Sequence, residues 1–124
     1  MVMEGDVRMG EVGSTASVMV VLVTVPDLET GTELARKVVE GRLAACGNVV
    51  PGLNSVYRWD REIHQDPESL IIFKTTKASL DALKKRVLEL HPYDVPEFLA
   101  FHVADGHLPY LRWVEGEVKE RERS

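Results

Sequence analysis

The chain has 124 residues with an ordinary share of hydrophobic (44%) and charged (28%) residues, which predicts a single globular domain. Its net charge of −5 disfavours binding to nucleic acid or to an anionic membrane, because both need clustered cations. Cys46 is the only cysteine, which excludes an intrachain disulfide and suits a reducing compartment, so we expect a cytoplasmic protein.

The first half of the chain predicts a tail, a strand, a helix and a second strand. Residues 1–17 lack the apolar run of a signal peptide, so we expect a mobile tail. Val18–Val25 is apolar nearly throughout, which predicts a strand covered on both faces and too short to span a membrane. Residues 33–44 place apolar side chains at helical spacing, and residues 46–50 predict a short strand that ends at Pro51-Gly52.

A long β-hairpin is predicted next. Residues 54–60 alternate in polarity, and residues 69–76 hold a continuous apolar core. The polar link, residues 61–68, contains His64-Gln65-Asp66-Pro67, which predicts the turn. Arms of about ten residues exceed the usual strand length and would leave an apolar strand edge in water. We therefore expect a second copy of the chain to pair with that edge.

The second half of the chain predicts a helix, a loop, a strand and a last helix. Residues 78–90 repeat apolar side chains at three- and four-residue steps, which predicts the clearest helix. Residues 91–97 form a loop with two prolines, residues 98–104 a strand and residues 107–117 a short helix. Residues 119–124 are charged and predict a frayed tail.

This order of elements predicts an α+β domain over residues 18–118. It is the ferredoxin-like βαββαβ pattern, with a long β-hairpin and a short C-terminal helix added. Such units form an antiparallel sheet with both helices on one face. The other face stays uncovered, which again indicates an oligomer.

Motifs for catalysis are absent from the sequence. It contains no G-x-S-x-G, no H-E-x-x-H, no paired C-x-x-C and no glycine-rich phosphate loop, so we assign no catalytic residues. A lone cysteine such as Cys46 is more often a small buried hydrophobe than a nucleophile or metal ligand. Aromatic side chains such as Trp59 are more often part of a core or interface than of a ligand-stacking site.

Two side chains have more specific surroundings. His91 ends the helix of residues 78–90 and precedes Pro92-Tyr93, with Glu97 nearby. It is either a residue that caps the helix dipole or part of a preformed site that the prolines hold stiffly. Lys74 ends a buried strand, where it should be solvated or paired with Glu68 or Glu97.

Six short motifs follow one another between residues 42 and 114. They are RLAACGN at 42–48, PG at 51–52, SVYRW at 55–59, KTT at 74–76, HPYDVPE at 91–97 and YLRWV at 110–114. In this order and spacing they resemble the CutA divalent-cation tolerance family, and the resemblance covers about residues 18–118.

The resemblance implies a fold, an assembly and a general role. The fold is ferredoxin-like, and the assembly is a homotrimer in which long hairpins pair strands between subunits. The role is a non-catalytic response to divalent metal ions, with Cu(II) or another divalent cation as the ligand and no organic cofactor. We expect a cleft between subunits, where strand ends and loops meet. Its predicted metal ligands are His91, Cys46 and Glu97, and its other predicted residues are Trp59, Lys74 and Tyr93.

The chain departs from the family pattern at two places. Copper-binding members have a Cys in the first strand and two consecutive His before Pro-Tyr, whereas this chain has Val23, Leu90 and His91 at those positions. One imidazole does not make a tight transition-metal site, so we expect weak Cu(II) binding at most. Arg61-Glu62 stands where the family has a Gly-Lys turn, so the hairpin must turn differently or later.

Three other functions stay open at this point. One is a signalling module like the PII proteins, which would bind a small anionic ligand at the cleft between subunits. Another is a hydrolase or thiol enzyme that uses Cys46 and His91 and needs a reactive thiol. The third is a purely structural scaffold.

Overall fold

The computed structural model describes residues 17–118. The predicted tails, residues 1–17 and 119–124, lie outside the described residues except for Ser17. In chain order the elements are β1 (Val18–Val25), α1 (Leu28–Glu40), β2 (Cys46–Trp59), β3 (Glu62–Thr76), a short 3-10 helix (Lys77–Ser79), α2 (Leu80–Leu90), β4 (Leu99–His102) and α3 (Leu108–Glu117).

The four strands form one antiparallel sheet in the order β2-β3-β1-β4. Helices α1 and α2 lie on the same face of this sheet and close the main core. This arrangement confirms the predicted ferredoxin-like α+β fold.

The main core lies between the two long helices and the central strands. Its buried side chains are Val21, Val23, Val25, Ile71 and Phe73 from the sheet, Leu34, Ala35 and Val38 from α1, Ala44, and Leu83 and Val87 from α2. Full burial of an apolar side chain of this size contributes about 1.5–3 kcal/mol relative to exposure. The other face of β1, with Val20 and Leu22, is only half-buried, so β1 is less covered than predicted.

Helix α1 begins five residues before its predicted start. The Asp27 side chain accepts a hydrogen bond from the Thr30 backbone N–H at 2.7 Å, which caps the helix and lowers the pKa of the Asp27 carboxyl. Gly31 lies in the first turn, where the helix packs tightly against Val25 and Val49 of the sheet. Glycine and threonine have low helix propensity, which conceals this turn in the sequence.

The predicted end of α1 at Ala44 is also wrong, because the helix ends at Glu40. Arg42 has a φ of 60° and turns the chain towards β2. Its guanidinium donates hydrogen bonds to the carbonyls of Gly116 and Glu117, each at 3.0 Å. Arg42 therefore ties the end of α1 to the end of α3.

The hairpin turns at Asp60-Arg61 rather than at the predicted His64-Gln65-Asp66-Pro67. Both residues have a positive φ (54° and 68°), and Trp59 pairs with Glu62, which defines a two-residue turn of type I′. The turn thus has the mirror-image geometry for which glycine is usually chosen, but without a glycine.

The segment predicted as the turn, His64-Gln65-Asp66-Pro67, lies inside β3. Proline suggested a break because it cannot donate to a strand ladder. Pairing between β1 and β3 starts only at Ser69, so Pro67 lies where one side of β3 is free, and proline is tolerated there.

The predicted short strand of residues 46–50 is the first part of β2. Pro51-Gly52 does not end the strand but forms a bulge, where the register shifts between Val50 and Leu53 and Gly52 takes a φ of 87°. The hairpin arms are consequently 14 and 15 residues long, longer than the ten predicted.

The outer part of this hairpin is a two-stranded ribbon, residues 53–59 paired with residues 62–68. Within the described residues no third strand pairs with it. Val56, Trp59 and Ile63 on the ribbon are about 60% exposed (62%, 60% and 60%). An isolated two-stranded ribbon is marginally stable in water, so its stability needs a further contact.

The sheet face away from α1 and α2, here called the open face, is only partly covered. At one end Val18 packs against Leu111 and Val114 of α3. Further along, Leu99 and Phe101 of β4 are half exposed (50% and 49%). The open face therefore exposes apolar side chains within the single chain.

Gly31→Ala should destabilise the fold by about 1–3 kcal/mol, because the added methyl group overpacks the helix–sheet contact. An ideal Cβ at this position would lie 2.9 Å from Val25 Cγ2 and 3.0 Å from Val49 Cγ1. Gly116→Ala in α3 is the matched control, since no atom lies within 4 Å of its Cβ position. Urea unfolding at one fixed protein concentration measures both changes. An unchanged midpoint for Gly31→Ala would contradict the close packing.

Candidate functional site

Five of the six predicted site residues divide between two places on the sheet, and the sixth, His91, lies buried against β1. Cys46 and Lys74 pair across β2 and β3 near one end of the sheet. Trp59, Tyr93 and Glu97 line a groove beside the ribbon. The two places lie far apart along the hairpin, because Glu68 in the groove and Lys74 are six residues, or about 20 Å, apart on β3.

Around Cys46 the side chains form a small polar cluster. The Lys74 ammonium donates a hydrogen bond to Asn48 Oδ1, and the Cys46 sulfur lies 3.9 Å from the same oxygen. Cys46 Sγ is also 3.8 Å from the Tyr110 hydroxyl. Burial, followed by the hydrogen bond with Cys46, raises the pKa of Tyr110 to about 12. Lys74 is predicted to be solvated or paired with Glu68 or Glu97, and within the described residues its hydrogen-bond partner is Asn48.

His91 is buried and uses both ring nitrogens in hydrogen bonds to the backbone. Nδ1 accepts from the Tyr93 N–H at 3.1 Å, so the ring proton lies on Nε2, which donates to the Thr24 carbonyl at 2.7 Å. The imidazole thus binds β1 rather than the C-terminal carbonyls of α2. Its role within the chain is to hold the segment after α2 against β1.

The residues of one chain do not fit a tight transition-metal site. Thr24, which binds His91, pairs with Leu70, whereas Cys46 pairs with Lys74. Four residues along the strands and two strand spacings separate Thr24 from Cys46 by about 16 Å. No group of three or more His, Cys, Asp or Glu side chains within residues 17–118 is placed to hold a metal ion.

The other place is a groove of about 850 Å³ between the ribbon and the loop of residues 92–97. Three aromatic side chains line it, Tyr57 and Trp59 from β2 and Tyr93 from the loop. All three are accessible, with 42%, 60% and 37% of their surface exposed. The size is within the range of sites for small organic ligands.

The charged residues that line the groove are all acidic: Asp66, Glu68, Asp94 and Glu97. No lysine, arginine or histidine is among its lining residues. Two of the carboxylates accept hydrogen bonds from tyrosines, Asp66 from Tyr57 and Glu68 from Tyr93 at 2.8 Å. Each of these bonds uses one carboxylate oxygen, which leaves the second oxygen of Asp66 and of Glu68 for other partners.

The same contacts raise the pKa values of the groove tyrosines. The hydrogen bond to Asp66 is the main cause of the raised pKa of Tyr57. For Tyr93, burial raises the pKa most, followed by the hydrogen bond to Glu68. A phenolate would form here next to carboxylates, which is unfavourable for like charges.

Sequence reasoning found Trp59, Tyr93 and Glu97 but missed Tyr57, Asp66, Glu68 and Asp94 as lining residues of this groove. A usable signal existed, because strand alternation places Tyr57 and Trp59 on one face. The misplaced turn concealed Asp66 and Glu68, since it removed both from a strand.

Comparison with known protein families matches residues 19–117 to the CutA1 divalent ion tolerance protein. The chain belongs to this family. The match runs from β1 to the end of α3 and so covers nearly all of the described fold.

Individual members of the family are close in sequence. The chain is 50% identical over 95 residues to the divalent-cation tolerance protein CutA of Thermus thermophilus, which covers 77% of this chain and 92% of that protein. It is 43% identical over 113 residues to the chloroplastic protein CutA 1 of rice, Oryza sativa. That alignment covers 91% of this chain but only 64% of the rice protein, and 63% is covered in the Arabidopsis thaliana relative.

Solved CutA1 structures share the fold. The Thermus thermophilus structure superimposes with a TM-score of 0.80 at 47% identity, covering 82% of this chain and 99% of that chain. The rice structure gives a TM-score of 0.84 at 43% identity, covering 88% and 100%.

Each of the chain's three tyrosines should ionise above the ordinary value near 10 while the protein is folded. Because their folded-state pKa values are raised, their contribution to stability is complete below about pH 10 and is lost as the pH rises through those values. Phenolate absorbance during an alkaline titration measures this, and the same titration in denaturant should return to about 10. Tyr93→Phe is the control that removes one of the shifted groups. A Tyr57 or Tyr93 that titrates near 10 in the folded protein would contradict the hydrogen-bonded groove.

Proposed function

We propose that this chain is a homotrimeric, non-catalytic protein of divalent-cation response that binds Cu(II) weakly at most. Membership of the CutA1 divalent ion tolerance family is the observation that carries the general role. The assembly, the metal affinity and the absence of catalysis are the proposed parts.

Unsatisfied surfaces of the single chain support the homotrimer. Leu99 and Phe101 leave the open face apolar, and β2 is a 14-residue edge strand with unpaired backbone groups. The ribbon beyond Ser69 also lacks a supporting strand within the described residues. Packing of copies through the open face and the strand edges would satisfy all three at once.

The contacts of His91 support weak copper binding. Before the ring can bind a metal it must give up either the Thr24 carbonyl or the Tyr93 N–H, and that loss offsets part of the binding energy. The assignment of His91, Cys46 and Glu97 as metal ligands therefore stays a prediction. It requires donors from more than one chain. Val23 lies fully buried in the core, where the family's copper-binding members have a cysteine.

Separation of Cys46 from His91 supports a protein without catalytic activity. A cysteine nucleophile needs a base within hydrogen-bond reach, but the His91 imidazole is bonded to Thr24, whose backbone lies about 16 Å from that of Cys46. The PII-like alternative, with an anionic ligand, is disfavoured at the groove because every charged lining residue there is acidic. A scaffold role would use the same surfaces as the homotrimer, namely the open face and the strand edges.

For its location we propose the cytoplasm, on the ground of the single free cysteine. Named relatives vary, since the rice and Arabidopsis thaliana proteins are called chloroplastic and the Archaeoglobus fulgidus structure is called periplasmic. None of the helices in residues 17–118 has the length and apolar character needed to cross a membrane.

Phe101→Glu should break the assembly, because it buries an unpaired charge in the proposed contact of the open face. The wild-type protein should have about three times the 13.9 kDa mass of the chain by light scattering coupled to size exclusion. Leu88→Glu is the matched control, since Leu88 is similarly exposed (48%) but lies on α2, away from the open face. A monomeric wild-type protein, or a variant that stays trimeric, would contradict the proposed interface.

Calorimetric titration of Cu(II) into the tag-free protein should show weak binding. Within residues 17–118 of one chain, no three His, Cys, Asp or Glu side chains are placed together to hold a metal ion. His91→Ala and Cys46→Ser identify the donors, and His102→Ala on exposed β4 is the control. Tight, saturable binding by the wild-type protein would contradict the proposal. Loss of the binding in His91→Ala with unchanged assembly mass would make His91 a ligand, whereas unchanged affinity would remove it from the ligand set.

A further inference from the structure

The outer surface of the helix layer is the part of the molecule that the proposed assembly leaves accessible. Copies would meet through the open face and the strand edges, whereas α1 and α2 lie on the opposite face of the sheet. A site on this outer surface is therefore present once on every chain, whatever the number of subunits.

Charges on this surface are separated along the helices. The chain runs from α1 to Cys46, which pairs with Lys74 near the end of β3, directly before α2. The end of α1 and the start of α2 therefore lie at one end of the layer. At that end the exposed anions are Glu40 and Asp81. They are outnumbered by exposed cations, here called the basic patch: Lys37, Arg42, Lys77, Lys84 and Lys85.

The other end of the same surface is acidic. Glu29 and Glu33 lie near the start of α1, and Glu89 lies in the last turn of α2. Two of these carboxylates hold cations in ion pairs, Glu33 with Arg36 at 3.7 Å and Glu89 with Arg86 at 3.3 Å. The positive potential of the layer is consequently confined to the basic patch.

The lysines of the basic patch are available to a partner. The two ion pairs of the helix layer within residues 17–118 belong to Arg36 and Arg86. No carboxylate of the described residues lies within ion-pair distance of the patch lysines, which are Lys37, Lys77, Lys84 and Lys85. Pairing them with an outside anion therefore breaks no ion pair within the described part of the chain.

Helix stability accounts for the charges of α1 but not for those of α2. The helix dipole favours anions at the start and cations at the end, as α1 has with Glu29 and Lys37. On α2 the order is largely reversed, because Lys77 directly precedes the helix, Glu89 lies in its last turn and that turn has no cation. Only Asp81 in the first turn suits the dipole. A binding role explains cations that the helix itself does not need.

The dimensions of the patch favour a short anionic ligand. Lys77 and Lys85 are eight residues apart, so the patch extends about 12 Å along α2. A nucleic-acid duplex or a membrane surface is larger and would also meet Glu33 and Glu89. The net charge of −5 repels such extended polyanions as well. An extended peptide spans 12 Å with about four residues, which fits within the patch.

An exposed apolar side chain borders the patch and favours a peptide further. Leu88 lies four residues after Lys84 and three after Lys85, so it shares their side of α2. It is 48% exposed. An apolar side chain of a peptide would bury this surface, and a phosphate backbone would not.

We propose that the basic patch docks a short acidic segment of a partner protein, with an apolar side chain among its carboxylates. The carboxylates pair with Lys77, Lys84 and Lys85, and the apolar side chain covers Leu88. The proposal rests on the proposed function only in that the helix layer faces outwards in the assembly. It adds a protein partner to the divalent-cation role and is independent of copper binding.

The test is fluorescence anisotropy of a fluorescein-labelled peptide, Glu-Glu-Leu-Glu-Glu, titrated with the full-length protein at concentrations where the mass of the assembly has been measured. Saturable binding of one peptide per chain is expected, and added NaCl should weaken it because salt screens the charges. Lys84→Gln combined with Lys85→Gln should lower the affinity about threefold to tenfold, as expected for the loss of two exposed ion pairs.

Two matched pairs of variants separate the patch from the rest of the surface. Asp81→Asn and Glu29→Gln remove one negative charge each, but only Asp81 lies at the patch, so only Asp81→Asn should strengthen binding. Leu88→Ala should weaken binding. Leu28→Ala should not, since Leu28 is equally exposed (47%) but lies at the acidic end of the layer.

The proposal is overturned if the peptide does not bind saturably, or if the Lys84→Gln and Lys85→Gln double variant binds it as the wild-type protein does. It is also overturned if Glu29→Gln strengthens binding as much as Asp81→Asn, because binding would then follow net charge alone. A short DNA duplex and phosphatidylserine vesicles are titrated beside the peptide. Tighter binding of either, lost in the double variant, would overturn the assignment of an acidic protein segment.

Failure of this proposal is distinguishable from failure of the proposed function. The lysines of the double variant lie on α2, away from the open face and from the predicted metal ligands. The mass of the assembly and the Cu(II) titration should therefore be the same in the double variant and in the wild-type protein, whatever the peptide does.

Discussion

The register of the long hairpin is the constraint on which the rest of this structure depends. The type I′ turn at Asp60-Arg61 pairs Trp59 with Glu62 and, further along, Cys46 with Lys74. Side chains alternate between faces with a period of two, so a slip by one residue would move every side chain of β3 to the other face. The same register therefore decides which residues enter the core, the open face and the groove.

Register alone does not build the groove, because its second wall is a loop. Two polar contacts hold that loop in place, His91 on the Thr24 carbonyl and Tyr93 on the Glu68 carboxylate. Both contacts join residues that are far apart in sequence, and both cross from the loop to the sheet. His91 thus has a structural role here that accounts for its burial without a metal ion. The groove is consequently a product of strand register and of these two anchors together.

The chain also shows how one feature can create both an exposed strand edge and a groove. Arms of 14 and 15 residues extend past the end of β1, so the outer ribbon has no neighbouring strand. That extension exposes backbone edges, which favours pairing with another copy. It also places Tyr57 and Trp59 beyond the covered sheet, where their rings are free to line a groove with the loop after α2.

The sequence by itself determined the fold class, the order of the elements and the family. Apolar periodicity is a local signal, and six motifs in order along the chain are specific, so these inferences needed no knowledge of which distant residues meet. It also grouped Trp59, Tyr93 and Glu97 in one cleft, and these three side chains do line one groove, while their role in binding a ligand stays a prediction.

Tertiary structure alone decided the turn, the helix start and the separation of the predicted site. Asp60-Arg61 has no glycine to mark a type I′ turn, and Gly31 conceals the first turn of α1 because its small size serves the packing against β1. His91 lies beside β1 and Cys46 lies at the start of β2, and only the sheet order shows that β3 separates these two strands. The physical reason is that local propensity is a weak signal: it disfavours the non-glycine turn and the first turn of α1, and it carries no information about the sheet order that separates His91 from Cys46.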